Sequence, residues 1–82
     1  MNIYVANLGS NVQIEDLKKH FSQYGEVVSV NIIVDKVTKR SRGFGFIRME
    51  DDRAGEKAIL ELNNTTFENQ VIRVKEARRN ME

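Results

Sequence analysis

Residues 40–49 read RSRGFGFIRM, and the alternation of side chains in this stretch decides how the chain folds. Successive side chains of a β-strand point to opposite faces, so Phe44 and Phe46 share one face. Arg42 and Arg48 have the same parity and lie on that face too. Burying two unpaired cations costs far more than the about 1.5–3 kcal/mol that each buried aromatic ring contributes. Both rings are therefore predicted to lie on an exposed sheet face, with the glycines directed towards the core.

The segments on either side have the periodicity of further strands and two helices. Runs that alternate or are rich in β-branched residues predict strands, and apolar residues recurring every three or four positions predict helices. Gly25 is predicted to end the first helix in a left-handed cap. Asp51 is predicted to cap the second helix at its N-terminus. The predicted strands cover 2–6, 27–34, 42–49 and 71–77, and the apolar stripes of the helices run from 14 to 24 and from 54 to 62.

The order β-α-β-β-α-β is typical of the ferredoxin-like α+β fold. Each helix carries a single apolar stripe, so both helices should pack on the same face of a four-stranded antiparallel sheet. The other face, called the open face below, is left to water or to a partner. In the second strand, Asn31 and Ile33 are predicted to point to the open face, although a bulge would shift that register.

The open face predicted from strand parity combines aromatic rings with cations. The first strand places Asn2 and Tyr4 there, and the last strand places Arg73 and Lys75 there. Bases of single-stranded nucleic acid stack on aromatic rings, and phosphates are attracted to lysine and arginine. The net charge is only +1, yet residues 36–49 contain five basic residues and no acid. A local positive surface is therefore predicted.

Composition narrows the classes of function. A chain of 82 residues is predicted to form a single domain, 1–82, which buries roughly 60% of its unfolded surface. The absence of cysteine excludes disulfides and thiolate metal sites, and His20, the lone histidine, is expected to be exposed on its helix. No cofactor and no enzymatic activity are predicted. No apolar run reaches membrane length and no signal pattern is present, so a cytoplasmic protein without a membrane partner is expected.

The octamer at 42–49, RGFGFIRM, resembles the [KR]-G-[FY]-[GA]-F-V-x-[FY] signature of the RNA recognition motif (RRM) family. The hexamer at 3–8, IYVANL, is similar to the family's second signature, which lies on the first strand. The resemblance covers nearly all of the chain and implies binding of single-stranded RNA and a post-transcriptional role. Discrimination against single-stranded DNA stays open. The compact length looks like that of short single-RRM proteins of bacteria, and a fragment of a longer protein would have the same pattern.

The resemblance also implies roles for individual residues. Tyr4 and Phe46 would each stack on a base, Phe44 would pack against sugars, and Arg42 would contact phosphate. Lys75 stands where asparagine is common in similar sequences, which favours phosphate attraction over base selection. Met49 replaces a terminal aromatic, but its parity is inward. The candidate RNA-binding residues are Asn2, Tyr4, Arg42, Phe44, Phe46, Arg48, Arg73, Lys75, Ala77 and Arg78.

Other interpretations stay open at this point. Arg48 and Arg73 could pair with neighbouring acids rather than bind RNA. The chain could bind a peptide through its helical side, as some RRM-like domains do. The GFGFI pentapeptide also occurs in cold-shock-type barrels, although the two helical stripes argue against an all-β fold. A monomer is expected.

Overall fold

The computed structural model describes residues 1–77 and contains one four-stranded antiparallel sheet, a two-stranded hairpin and two helices. The elements are β1 (Asn2–Ala6), α1 (Ile14–Ser22), β2 (Val27–Val34), β3 (Ser41–Met49), α2 (Asp52–Leu62), β4 (Thr66–Phe67), β5 (Gln70–Val71) and β6 (Arg73–Glu76). The sheet order is β2-β3-β1-β6, so β1 and β3 are its central neighbours. The predicted ferredoxin-like α+β fold is confirmed, and a cold-shock-type all-β barrel is excluded by α1 and α2.

The core lies between the helices and the inward face of the sheet. Alternation along β1 buries Ile3 and Val5 completely, and Ile47 on β3 lies directly opposite Ile3. Met49 is only 1% exposed, so the predicted inward position of this residue is confirmed. The buried apolar cluster comprises Ile3, Val5, Leu8, Val12, Leu17, Phe21, Val27, Ile47, Met49, Ala58, Leu62, Ile72 and Val74.

The helix ends agree with the sequence prediction at one position and differ at another. The side chain of Asp51 accepts a hydrogen bond of 3.0 Å from the backbone N–H of Arg53, which confirms the predicted N-cap of α2. The prediction of a left-handed cap at Gly25 was wrong, because α1 ends at Ser22 and Gly25 has no positive φ. A Cβ atom at Gly25 would lie 2.6 Å from the Cβ atom of Ala54. The glycine therefore permits a close approach of α2 to the turn after α1.

The last strand of the sheet is shorter than the predicted 71–77. Val71 belongs instead to β5, which pairs with β4 in a separate hairpin. Residues 68–69 of its turn both have positive φ, 49° and 70°. The Asn7 side-chain amide donates to the Val71 carbonyl at 2.7 Å, and the Gln70 side-chain amide donates to the Asn7 carbonyl at 2.9 Å. These bonds hold the hairpin against the end of β1.

His20 is not the exposed helix residue that the sequence suggested. It is half-buried, and its ring stacks on Phe67 with the centroids 4.4 Å apart and the planes at 24°. Its Nδ1 atom lies 3.3 Å from the side-chain amide nitrogen of Gln23. Its Nε2 atom is buried without a hydrogen-bond partner within residues 1–77. Burial disfavours the charged imidazolium and lowers the pKa of His20 below its ordinary value of 6.5.

The free energy of unfolding is expected to fall as the pH drops below about 6.5. The unfolded chain binds a proton at His20 more readily than the folded chain, because folding lowers the pKa of this group. Urea unfolding followed by circular dichroism at about pH 7.5 and about pH 5.5 measures the difference. His20→Phe keeps a ring against Phe67 but cannot titrate, so its pH dependence should be smaller. If the wild type and His20→Phe showed the same pH dependence, the attribution of this dependence to His20 would be wrong.

Candidate nucleic-acid interface

Three aromatic rings form a contiguous group on the open face, called the aromatic cluster: Tyr4 on β1, and Phe44 and Phe46 on β3. Tyr4 lies directly opposite Phe46 in the β1–β3 register, with ring centroids 5.5 Å apart. Phe44 lies 5.9 Å from Tyr4 and 6.3 Å from Phe46. All three rings are half-buried, and none stacks face to face on another, since their interplanar angles are 43°, 49° and 88°. The cluster can therefore receive flat apolar groups such as bases.

Cations lie beside the aromatic cluster, and the strand register confirms the predicted face for Arg48 and Arg73. Arg48 on β3 is exposed opposite Asn2, and Arg73 on β6 is exposed opposite Ala6. Arg42 is exposed near the start of β3. Within residues 1–77 the ion pair that the structure shows joins the N-terminal amine to Asp52, so these arginines form no ion pair with an acid of this range. They remain able to meet phosphate.

The remaining candidate residues, Lys75, Ala77 and Arg78, lie in or after β6. Lys75 lies opposite Tyr4, and its Nζ atom is 5.4 Å from the centroid of the tyrosine ring. The backbone N–H of Ala77 donates to the Asn2 carbonyl at 2.8 Å, so this donor is already used within the sheet. Arg78 lies outside the described residues.

The candidate set omitted the polar side chains of β2 on the open face, Ser29 and Asn31. Asn31 of β2 is exposed directly opposite Phe46, which confirms its predicted direction. Ile33 is half-buried and has no partner in the register, because the β2–β3 ladder shifts between Ile32 and Val34. A Cβ atom on Gly45 would lie 2.5 Å from the Asn31 carbonyl oxygen. The glycine therefore lets the backbone of β2 approach β3 beside Phe46, a relation that strand parity alone does not indicate.

The loop between β2 and β3 is held in one conformation by Asp35. The backbone N–H groups of Thr38 and Val37 donate to the Asp35 carboxylate at 3.0 and 2.8 Å, and both bonds lower the pKa of that carboxyl group. The backbone N–H of Asp35 also donates to the Arg40 carbonyl at 2.8 Å. The turn therefore holds a short exposed basic segment at one end of the sheet, comprising Lys36, Lys39 and Arg40.

The chemistry available on the open face is stacking, hydrogen bonding and charge attraction. Among residues 1–77 no group of histidine, aspartate or glutamate side chains is arranged to hold a metal ion. In the same range, no helix is long and apolar enough to span a membrane. The side chains gathered there, rings and cations, are those that hold a flexible polyanion carrying flat bases.

Comparisons with known proteins agree with this geometry. The model of the RNA recognition motif family matches residues 3–73. The protein RbpE of Nostoc sp. is 44% identical over 78 residues, which are 95% of this chain and 79% of RbpE. The crystal structure of RNA binding protein PG1 superposes with a TM-score of 0.96 at 48% identity, covering 100% of this chain and 99% of PG1.

A second solved structure is the SXL-lethal protein/RNA complex. It superposes with a TM-score of 0.88 at 37% identity, covering 93% of this chain and 47% of that one. The family match spans both signature strands, 3–8 and 42–49, and both helices. This chain therefore belongs to the RNA recognition motif family.

Proposed function

We propose that the chain is a binding module for single-stranded RNA and that it holds the strand on the open face. The aromatic cluster carries this proposal, because three half-buried rings within 6.3 Å of one another lie on the open face beside exposed cations. One structural relative is named as an RNA binding protein and the other was solved as a protein/RNA complex, which supports the same function here.

Tyr4 and Phe46 are proposed to stack on two bases, with Phe44 packing against the sugars between them. Each stacked base contributes about 1–3 kcal/mol by alanine substitution, so two bases contribute about 2–6 kcal/mol. Arg42, Arg48 and the other open-face cations are proposed to contact phosphates. Ala77 and Arg78 stay predicted contacts.

The role is proposed to be binding rather than catalysis. The lone histidine is half-buried on α1 against Phe67, away from the aromatic cluster. The proposed biological consequence is control of RNA stability or translation in the cytoplasm. A monomer stays a prediction, which light scattering during size-exclusion chromatography measures directly.

Affinity for single-stranded RNA is expected to depend on salt. If two to four phosphates are neutralised, the logarithm of the affinity should fall with the logarithm of the salt concentration by roughly 0.7 per phosphate. The measurement is fluorescence anisotropy of labelled, sequence-randomised RNA across a salt series, since the protein has no tryptophan to report binding. The same titration with single-stranded DNA of equal length measures whether the protein discriminates RNA from DNA.

A pair of charge variants makes this test specific to the open face. Arg48→Gln should lower the salt slope by roughly 0.7, because one phosphate contact is lost. Lys57→Gln removes an exposed cation from α2, on the other side of the sheet, and should leave the slope unchanged. A slope near zero for the wild type would contradict the proposed function. If both variants lowered the salt slope equally, the RNA would not be bound specifically to the open face.

A further inference from the structure

We propose that Lys75 occupies the stacking face of Tyr4 in the free protein and that RNA must displace it to bind there. This inference rests on the proposed function. The two residues are direct partners across the β1–β6 ladder, so their side chains emerge on the same face. The Lys75 Nζ atom lies 5.4 Å from the centroid of the Tyr4 ring, within the about 6 Å range of a cation–π contact.

The ring of Tyr4 has side-chain neighbours on both adjacent strands, β3 and β6. Phe44 and Phe46 approach its ring at tilted angles of 43° and 49°, with centroids at 5.9 and 5.5 Å. Lys75 covers the ring from β6. No acid within residues 1–77 forms an ion pair with Lys75, so the electron-rich ring is the attraction that the structure shows for its ammonium group.

A base and an ammonium group cannot occupy the same ring face. Stacking brings a base into van der Waals contact with the ring, so the flexible lysine stem must swing aside first. The loss of the cation–π contact opposes binding. A phosphate that receives the displaced ammonium group offsets that loss, and a neutral ligand offers no such partner. Lys75 should therefore favour nucleotide strands over uncharged aromatic molecules at Tyr4.

Arg73 is a matched control on the same strand and the same face. It lies opposite Ala6 and, among the described residues, no cation–π contact involves it. Lys75→Met and Arg73→Met each remove one cation and keep an unbranched stem. Both variants should lower the salt slope by roughly 0.7 if each cation meets one phosphate. Only Lys75→Met also removes a cation–π contact with a ring.

When RNA affinity is plotted against salt concentration, the curves of Lys75→Met and the wild type are expected to cross. At low salt Lys75→Met should bind RNA more weakly than the wild type, because an attractive charge is lost. At high salt, where attraction is screened, it should bind about two- to fivefold more tightly, because no cation–π contact has to be broken before a base stacks on Tyr4. Arg73→Met should never bind more tightly than the wild type. Introducing Lys75→Met into a Tyr4→Leu protein should give no gain. Weaker binding of Lys75→Met at every salt concentration would overturn the displacement.

A second readout needs no affinity measurement. In the free protein the Tyr4 ring current should shift the Lys75 side-chain methylene signals upfield in NMR spectra, and Tyr4→Leu should abolish this shift. Added single-stranded RNA should abolish it in the wild type as well. RNA binding with an unchanged Lys75 signal overturns the displacement alone. Absence of any RNA binding overturns the proposed function too, whereas the signal of the free protein still tests the contact.

Discussion

Replacement of both Phe44 and Phe46 by alanine is expected to reduce RNA affinity by at least about 30-fold while the protein stays folded. Two lost stacking or packing contacts of about 1–3 kcal/mol each amount to about 2–6 kcal/mol, and every 1.4 kcal/mol is tenfold in affinity. Both rings lie on the open face, outside the buried cluster between sheet and helices. Stability should therefore fall by only part of the about 1.5–3 kcal/mol that a fully buried ring contributes.

The measurement is anisotropy of labelled RNA, with a thermal melt of each variant to establish that it is folded. Leu60→Ala is the matched control, because Leu60 is 81% exposed on α2 and its removal also deletes apolar surface. It should bind RNA like the wild type. Phe46→Tyr should restore most of the affinity that Phe46→Ala loses, since a base stacks on either ring. Equal binding by the wild type and the double variant would move the site to the basic loop.

Phe21→Ala is expected to give the largest loss of stability, about 3–5 kcal/mol. Phe21 is fully buried on α1 and belongs to the apolar cluster between the helices and the sheet. Truncation removes its transfer free energy and leaves a cavity that the surrounding side chains fill only in part. The free energy of unfolding of a native domain is about 5–15 kcal/mol, so the variant should lose a large part of its stability.

Urea unfolding followed by circular dichroism measures this change. Lys18→Ala is the control on the same helix, because Lys18 is exposed and its replacement should change stability by no more than about 0.5 kcal/mol. The folded fraction of Phe21→Ala should keep the wild-type salt slope, since Phe21 lies on the other side of the sheet from the aromatic cluster. A loss of stability below about 1 kcal/mol would contradict the packing described for α1.

The open face could be predicted because its evidence is local. Strand parity places Phe44 and Phe46 on the side of Arg42 and Arg48, and the cost of burying cations decides which side faces water. The same parity in β1 predicted the outward position of Tyr4, and the structure has all three rings there. Fold class and the direction of the rings needed no information beyond the order of the residues.

Other features depend on residues that are far apart in the chain. The contact of Gly25 with Ala54 and the stack of His20 on Phe67 arise from how helices and hairpin pack, which no periodicity records. The hairpin of β4 and β5 was missed because Val71 is a β-branched residue directly before Ile72, so local composition merges it with the strand that follows. Local patterns placed these residues in elements but did not identify their neighbours.

The sequence by itself determined the order of the two helices and of the four strands of the main sheet, the two sheet faces and the chemistry of the open face, because periods of 2 and 3.6 residues are properties of a chain segment. The tertiary structure decided which side chains meet across strands. Lys75 lies over Tyr4 because β6 pairs with the opposite edge of β1 from β3. Strand order follows from how the whole chain closes its core, and contacts between distant segments are therefore set only when the sheet is assembled.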